Sequence, residues 1–347
     1  MRRAVAVVTL VLAPAAAVAE IQLPPGFTAQ VYVSGEGFDA SAGSGLAGLP
    51  SVSTLALDEA GNLYLARTGR RYFGGEGDDL WPIYRIPVGG ARLSPRTEPR
   101  YFHGPPLLNA QVAAVRAGRE LFVTTYDRDR KVGVLYRMFE GRAALFAGGT
   151  PPPGVPPVLT QPEGAAVDAA GNVYVADRAR GVVAKLDRTG RVLDPRYVEL
   201  SRPRLLAAGE GEYLWVAGDG TADAPWQQGT GEILRVRPAG VPSVVLRGPV
   251  PAAIAASPMR WLVVADRRAA RIFVLDVDGT RLELASFTDG DAPRGLAWAP
   301  VTPETRRAGL AGDLFVVVIR RSAFQTNEVL RVSGPFDAHV RRRAPGP

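Results

Sequence analysis

Apolar runs of roughly five to eight residues recur along the whole chain, bounded by Gly, Pro, Asp or Asn, which is the pattern of strands and turns. Leu63–Ala66, Leu121–Thr124, Val173–Ala176, Leu214–Ala217, Leu262–Ala265 and Leu314–Val317 are almost wholly apolar, as strands covered on both faces must be. Each follows a run of smaller residues: Ser53–Leu57, Gln111–Val115, Gly164–Val167, Leu205–Ala208, Ala252–Ala256 and Gly295–Trp298. Each precedes a third strand: Ile83–Ile86, Val134–Met138, Val182–Leu186, Glu232–Val236, Arg271–Leu275 and Glu328–Val332. A fourth is visible in most units, as at Ala143–Ala147, Ser243–Leu246 and Arg281–Ser286. The 39 glycines and 30 prolines leave little room for long helices, and only 303–311 predicts a helical turn or two.

The units repeat in sequence as well as in pattern. Val175–Asp187 returns as Val264–Asp276, and Asp58–Ala66 is echoed by Asp168–Ala176. Self-similarity at this spacing marks a repeat architecture. The chain is therefore expected to be all-β: a six-bladed β-propeller with four-stranded blades. Inner strands crowd the axis, which explains their small residues. Phe27–Val33 precedes the first full unit and is predicted to pair with the last blade, closing the disc. The alternative, an open pair of sheets, would leave raw edges.

Met1-Arg2-Arg3, an apolar stretch and Ala17-Val18-Ala19 read as a secretory signal peptide over 1–19, or alternatively as an uncut anchor. The propeller is expected over 20–336 and a basic, disordered tail over 337–347. A periplasmic or secreted address follows, with no transmembrane segment after signal cleavage. Cysteine is absent, which removes disulfides, thiolate metal sites and a Cys nucleophile. The net charge of +7 comes from scattered arginines, without a basic stripe interleaved with aromatics, so nucleic acid is not an expected partner.

In a propeller, first-to-second-strand turns lie on one face, while second-to-third turns and blade-to-blade links lie on the other. Here the second set carries the insertions: 67–82, with Trp81; 218–230, with Trp226; and 320–327. The links 101–108 and 148–161 are assigned to the same face. Long loops gathered on one end of a rigid scaffold commonly carry binding. The alignment also puts Ser53, Gln111, Glu163, Arg204, Ala252 and Arg294 at the channel mouth on that face. A carboxylate opposite two arginines would orient an anionic or polyhydroxylated ligand; alternatively, Glu163 and Arg204 simply pair with each other. Asp177 and Asp266, ending second strands, are expected to bond backbone groups of the following turn.

Pro162–Asp177 resembles the NHL repeat, with its P-x-G, D-x-x-G-N and closing V-x-D elements. That resemblance implies a propeller of the gluconolactonase-like and sorbosone-dehydrogenase-like superfamily, whose functions range from ligand binding to lyase chemistry. Gluconolactonase-type hydrolases hold a divalent metal with a Glu, two Asn and an Asp. The channel ring here offers Glu163 and no Asn, Asn109 is off register, and the arginines would repel a cation, so no metal site is expected. Leu23–Tyr32 is similar to the mature start of pyrroloquinoline quinone sugar dehydrogenases. Ala292–Trp298 with Gly312–Val316 is similar to their final blade. That family continues with a His-Gly-Ser-Trp-Asn-Arg type segment, where this chain has Ile319–Phe324. It implies a His as general base, for which His103 is the least implausible residue here. No other catalytic residue and no cofactor is expected. Catalytic motifs such as G-x-S-x-G, H-E-x-x-H and the P-loop are absent.

These readings favour a binding or scaffold module. Its partner, a protein or a small polar or anionic ligand, would meet Glu163, Arg204, Arg294, Gln111, Ser53, Trp81 and Trp226. The alternatives are a quinone-dependent sugar dehydrogenase or a sugar-lactone hydrolase.

Overall fold

A computed structural model describes residues 21–38, 49, 52–67, 80–117, 119–127, 129–209, 213–238, 240–257, 261–320 and 327–341. The signal-peptide segment lies outside the described residues, as do most of the 67–82 loop, 321–326 and 342–347. Six antiparallel sheets, each built on four strands, form the six blades of a propeller. In the third blade Pro162–Val167, Val173–Asp177, Val182–Leu186 and Val192–Glu199 run from the axis outward. The second strands Val173–Asp177, Leu214–Gly218 and Leu314–Ile319 are buried at every residue, because neighbouring blades cover both faces.

The sequence repeat has a local physical cause. Asp58 Oδ1 accepts the Asn62 backbone N–H at 2.9 Å, and its Oδ2 accepts Asn62 Nδ2 at 2.8 Å and the Tyr64 hydroxyl at 3.2 Å. Asp168 repeats this with Asn172 at 2.8 and 2.9 Å and Tyr174 at 3.0 Å. The intervening Gly61 and Gly171 stand at φ +85° and +83°, which favours glycine. The D-x-x-G-N-x-Y signature is thus a side-chain-locked turn between inner and second strands.

Closure follows the expected route. Thr28–Gly35 lies antiparallel to Asn327–Ser333, as the outer strand of the sixth blade. A short segment, Ala91–Leu93, then pairs in parallel with this first long strand and ties the first blade to the sixth. Ile21–Gln22 adds to the outer edge of the fifth blade.

Two expectations need correction. Phe102–Leu108 is the outer strand of the first blade, paired with Leu80–Ile86, and not a link between blades. Gly104-Pro105-Pro106 bulges out of that ladder, and an edge strand tolerates prolines because its outer side needs no donor. The tail expected from 337 begins later, since Phe336–Arg341 is a helix, α2. Phe336 is buried against Trp298 and Phe27 at ring separations of 4.8 and 4.9 Å, which fixes the helix to the disc. The only other α-helix among the described residues, α1 (Pro303–Arg307), is capped by Thr302 and lies over the first blade's tight turn, where Thr302 Oγ1 donates to the Glu59 carbonyl at 2.7 Å. No described helix is long and apolar enough to cross a membrane.

Candidate functional site

The inner strands enter the channel at the loop face, and four of them are bulged there. The register slips between Val52 and Thr54, Pro162 and Ala165, Pro203 and Leu205, and Pro293 and Gly295. The extra residues are Ser53, Glu163 with Gly164, Arg204, and Arg294. The second blade slips two residues later, at Ala113. Bulges re-aim side chains and recur beside functional sites. They also let adjacent inner strands approach closely. A Cβ on Gly164 would stand 2.5 Å from the Arg204 carbonyl oxygen, and one on Gly295 would strike the Ser53 carbonyl.

The structure brings Gln111 and Glu163 together. Gln111 Nε2 donates to Glu163 Oε2 at 3.0 Å, and Gln161 Nε2 donates to Oε1 at 2.9 Å. The carboxylate is thus clamped between two amides, and its own backbone carbonyl accepts from Thr124 Oγ1 at 2.8 Å. Glu163 and Arg204 do not pair with each other. Arg204 Nε donates to both oxygens of Asp219 at 2.8 and 3.0 Å, and its other nitrogens reach the carbonyls of Ala252 and Pro251. Asp219, 1% exposed, also binds Arg178 of the third blade. One buried carboxylate therefore pairs with guanidiniums from two blades and is shared between them.

Opposite, in the sixth blade, Arg320 joins Asp291 at 3.1 Å and Glu328 at 3.0 Å. Burial pushes the Glu328 carboxyl up; Arg320 opposes this and Asp291 reinforces it. Arg294 and Ser53 lie on neighbouring inner strands at the sixth-to-first junction. Asp177 accepts Thr160 and Gln161 N–H groups of the incoming link at 2.8 and 3.0 Å, besides Arg180 N of its own turn at 3.4 Å. Asp266 accepts Ala269 N at 2.9 Å, as expected of a turn.

Trp81 and Trp226 do not join this cluster. Trp81 is half-buried under Arg67, whose guanidinium carbon is 4.1 Å from the ring centroid, and its indole donates to the Tyr84 hydroxyl at 3.0 Å. Trp226 is 56% exposed beside Arg267, between the fourth and fifth blades. His103 is the clearest displacement. It opens an outer strand, packs 5.3 Å from Tyr64, and therefore stands at the tight-turn face rather than the loop face. Burial lowers its pKa, Arg85 lowers it further, and Asp58 opposes them. His339, in α2, is on the same far face, its ring edge-on to Phe27. Sequence reasoning placed Asp219 only within the 218–230 insertion, without a partner, and missed Gln161 and the Asp291–Arg320–Glu328 group. Asp219 had a usable signal, an acid just past a second strand like Asp177 and Asp266.

Among the described residues no three His, Asp or Glu side chains gather as a metal site. The loop-face mouth carries no described histidine that could serve a bound quinone as base, so the residues present do not fit that cofactor's chemistry.

No family model matches this chain. No curated protein matches it either. Solved structures do. A gluconolactonase from Xanthomonas campestris is 14% identical, with a TM-score of 0.54 over 83% of this chain and 87% of that one. The PQQ-bound aldose sugar dehydrogenase from Streptomyces coelicolor is 13% identical, with a TM-score of 0.54 over 90% and 100%. A streptogramin B lyase is 10% identical, with a TM-score of 0.51 over 89% and 98%. Identities this low speak for fold alone. The chain is a six-bladed β-propeller, built like a lactonase, a sugar dehydrogenase and a lyase without sharing their sequences.

Proposed function

We propose that this chain is a periplasmic or secreted, NHL-like propeller that binds a small polyhydroxylated ligand at the loop-face mouth of its channel. The observation that carries this reading is the Glu163 carboxylate, held between Gln111 and Gln161. Each carboxylate oxygen takes one amide hydrogen and keeps a lone pair for a ligand hydroxyl. Two fixed donors orient the group before binding, which lowers the cost of ordering it. Arg294 and Ser53 supply further polar groups across the mouth. Arg204 is held by Asp219 rather than aimed at a ligand, and the Glu163 carboxylate is itself an anion, so the site favours hydroxyls over anions. Gln111 and Ser53 form the rim, and Trp81 and Trp226 stand apart from it.

The test is a thermal-shift titration of the mature chain with glucose and gluconate as probes. Wild type is expected to gain melting temperature with glucose more than with gluconate, and Glu163→Ala to lose that gain. An equal shift in Glu163→Ala, or none in wild type, overturns the reading. Reduction of a redox dye with an aldose, added quinone and Ca²⁺ would place the chain with the dehydrogenases instead.

A further inference from the structure

The tight-turn face carries a cavity of about 590 Å³ at the other end of the axis. It extends from the seam between the third and fourth blades across to the sixth. Small side chains open it: the fourth and fifth inner strands end at Ala208 and Ala256, where the second ends in Arg116 and the sixth in Trp298. One wall is aromatic. Tyr174 and Tyr197 have ring centroids 5.1 Å apart, and Tyr213 lies beside them on the fourth blade. Trp298 forms the opposing wall, held edge-on by Trp261 at 5.5 Å and by Phe336 at 4.8 Å.

Asp168 and the Tyr174 and Tyr197 hydroxyls are already engaged, whereas the Trp298 indole nitrogen is buried without a hydrogen-bond partner. Asp168 is taken by Asn172 and Tyr174, and the Tyr197 hydroxyl bonds the carbonyls of Arg237 and Pro238 at 3.0 and 3.1 Å. The chain has 41 Lys and Arg residues, yet none is among the described residues that line the cavity. Lys185 and Arg235 instead sit over the tyrosine rings without lining it, at 5.3 Å from Tyr197 and 4.9 Å from Tyr213. An anion would find no cation among the described residues of the wall. A cation would meet those two charges behind the rings.

We propose that this cavity is a second binding site, for a neutral aromatic small molecule of two or three rings, on the face opposite Glu163. Apolar cavities of roughly 300–1,000 Å³ with a few polar groups are the usual form of small-molecule sites. Facing aromatic walls favour flat guests through offset and edge contacts.

The experiment is a fluorescence titration of the mature chain with N-phenyl-1-naphthylamine, a neutral probe of linked rings. Saturable binding of one probe per chain is expected. Ala208→Phe, at an exposed position that projects no bulk into the cavity now, should weaken it at least tenfold, and Ala256→Leu should act likewise. Glu163→Ala should leave it unchanged, which separates this site from the loop-face one. The anionic probe anilinonaphthalene sulfonate should bind at least tenfold more weakly. Absence of saturable binding overturns the proposal. So does a titration unchanged in both filled variants whose circular dichroism and melting match wild type, or one lost in Glu163→Ala.

Discussion

The two mouths of the one channel are built on opposite principles. At the loop face, long connections deliver charged side chains, and these spend most of their capacity on each other: Arg204 and Arg178 on Asp219, Arg320 on Asp291 and Glu328. At the tight-turn face the connections of the middle blades are short, polar groups are locked in turns, and open volume remains where Ala208 and Ala256 stop short. Loop length alone therefore does not identify the emptier end of a propeller. What matters is whether the side chains that arrive there satisfy one another.

The contrast can be broken at its strongest point by Asp219→Ala. This leaves two largely buried guanidiniums without their carboxylate, and a loss of about 3–5 kcal/mol is expected in chemical denaturation. A loss below about 1 kcal/mol would mean that the loop-face network is solvated rather than structural. Gly164→Ala should come next. Its Cβ would press on the Arg204 carbonyl oxygen of the neighbouring inner strand, so a loss of about 1–3 kcal/mol is expected. Gly171→Ala, which meets its nearest atom at 3.6 Å, tests positive φ alone and serves as the control on the other face.

The smallest effect belongs to His103. Its folded pKa is lowered from 6.5, chiefly by burial, so the unfolded chain takes up the proton first as pH falls. The stability tied to its neutral form is complete above pH 6.5 and declines as pH drops through the folded value. His103→Phe should flatten that decline in melting temperature measured against pH. An unchanged slope would show that the ring is not held neutral against Tyr64.

Much of the disc was readable because its signals are local. The D-x-x-G-N-x-Y turns, the wholly apolar second strands and the small inner strands each follow from steric or hydrogen-bonding needs within a few residues. The N-terminal closure could be inferred because an open edge is costly. Pairings between distant residues were not readable. The position of Asp219 just past a second strand hints at a role but not at its partner, and nothing near Arg204 announces that its carboxylate is Asp219 rather than Glu163 on the neighbouring inner strand. Phe102–Leu108 was hidden by its prolines, which usually signal a link. The basic residues after Val340 concealed that Phe336 and Val340 pack α2 onto the disc. Of the candidate site, the Gln111–Glu163 neighbourhood was legible from strand alignment, whereas the position of His103 depended on the misassigned strand.

The arrangement at Thr28–Gly35 bears on how the molecule is made. Val31 stands opposite Leu330, so the earliest long strand finds its partner only when almost the whole polypeptide is available. During synthesis the nascent chain must carry that strand as a bare edge. Its exposure lasts for the entire time the intervening sectors emerge. Assembly then ends at the seam rather than at the last residue translated, and any delay in the distal portion lengthens the interval in which another molecule can occupy the vacancy.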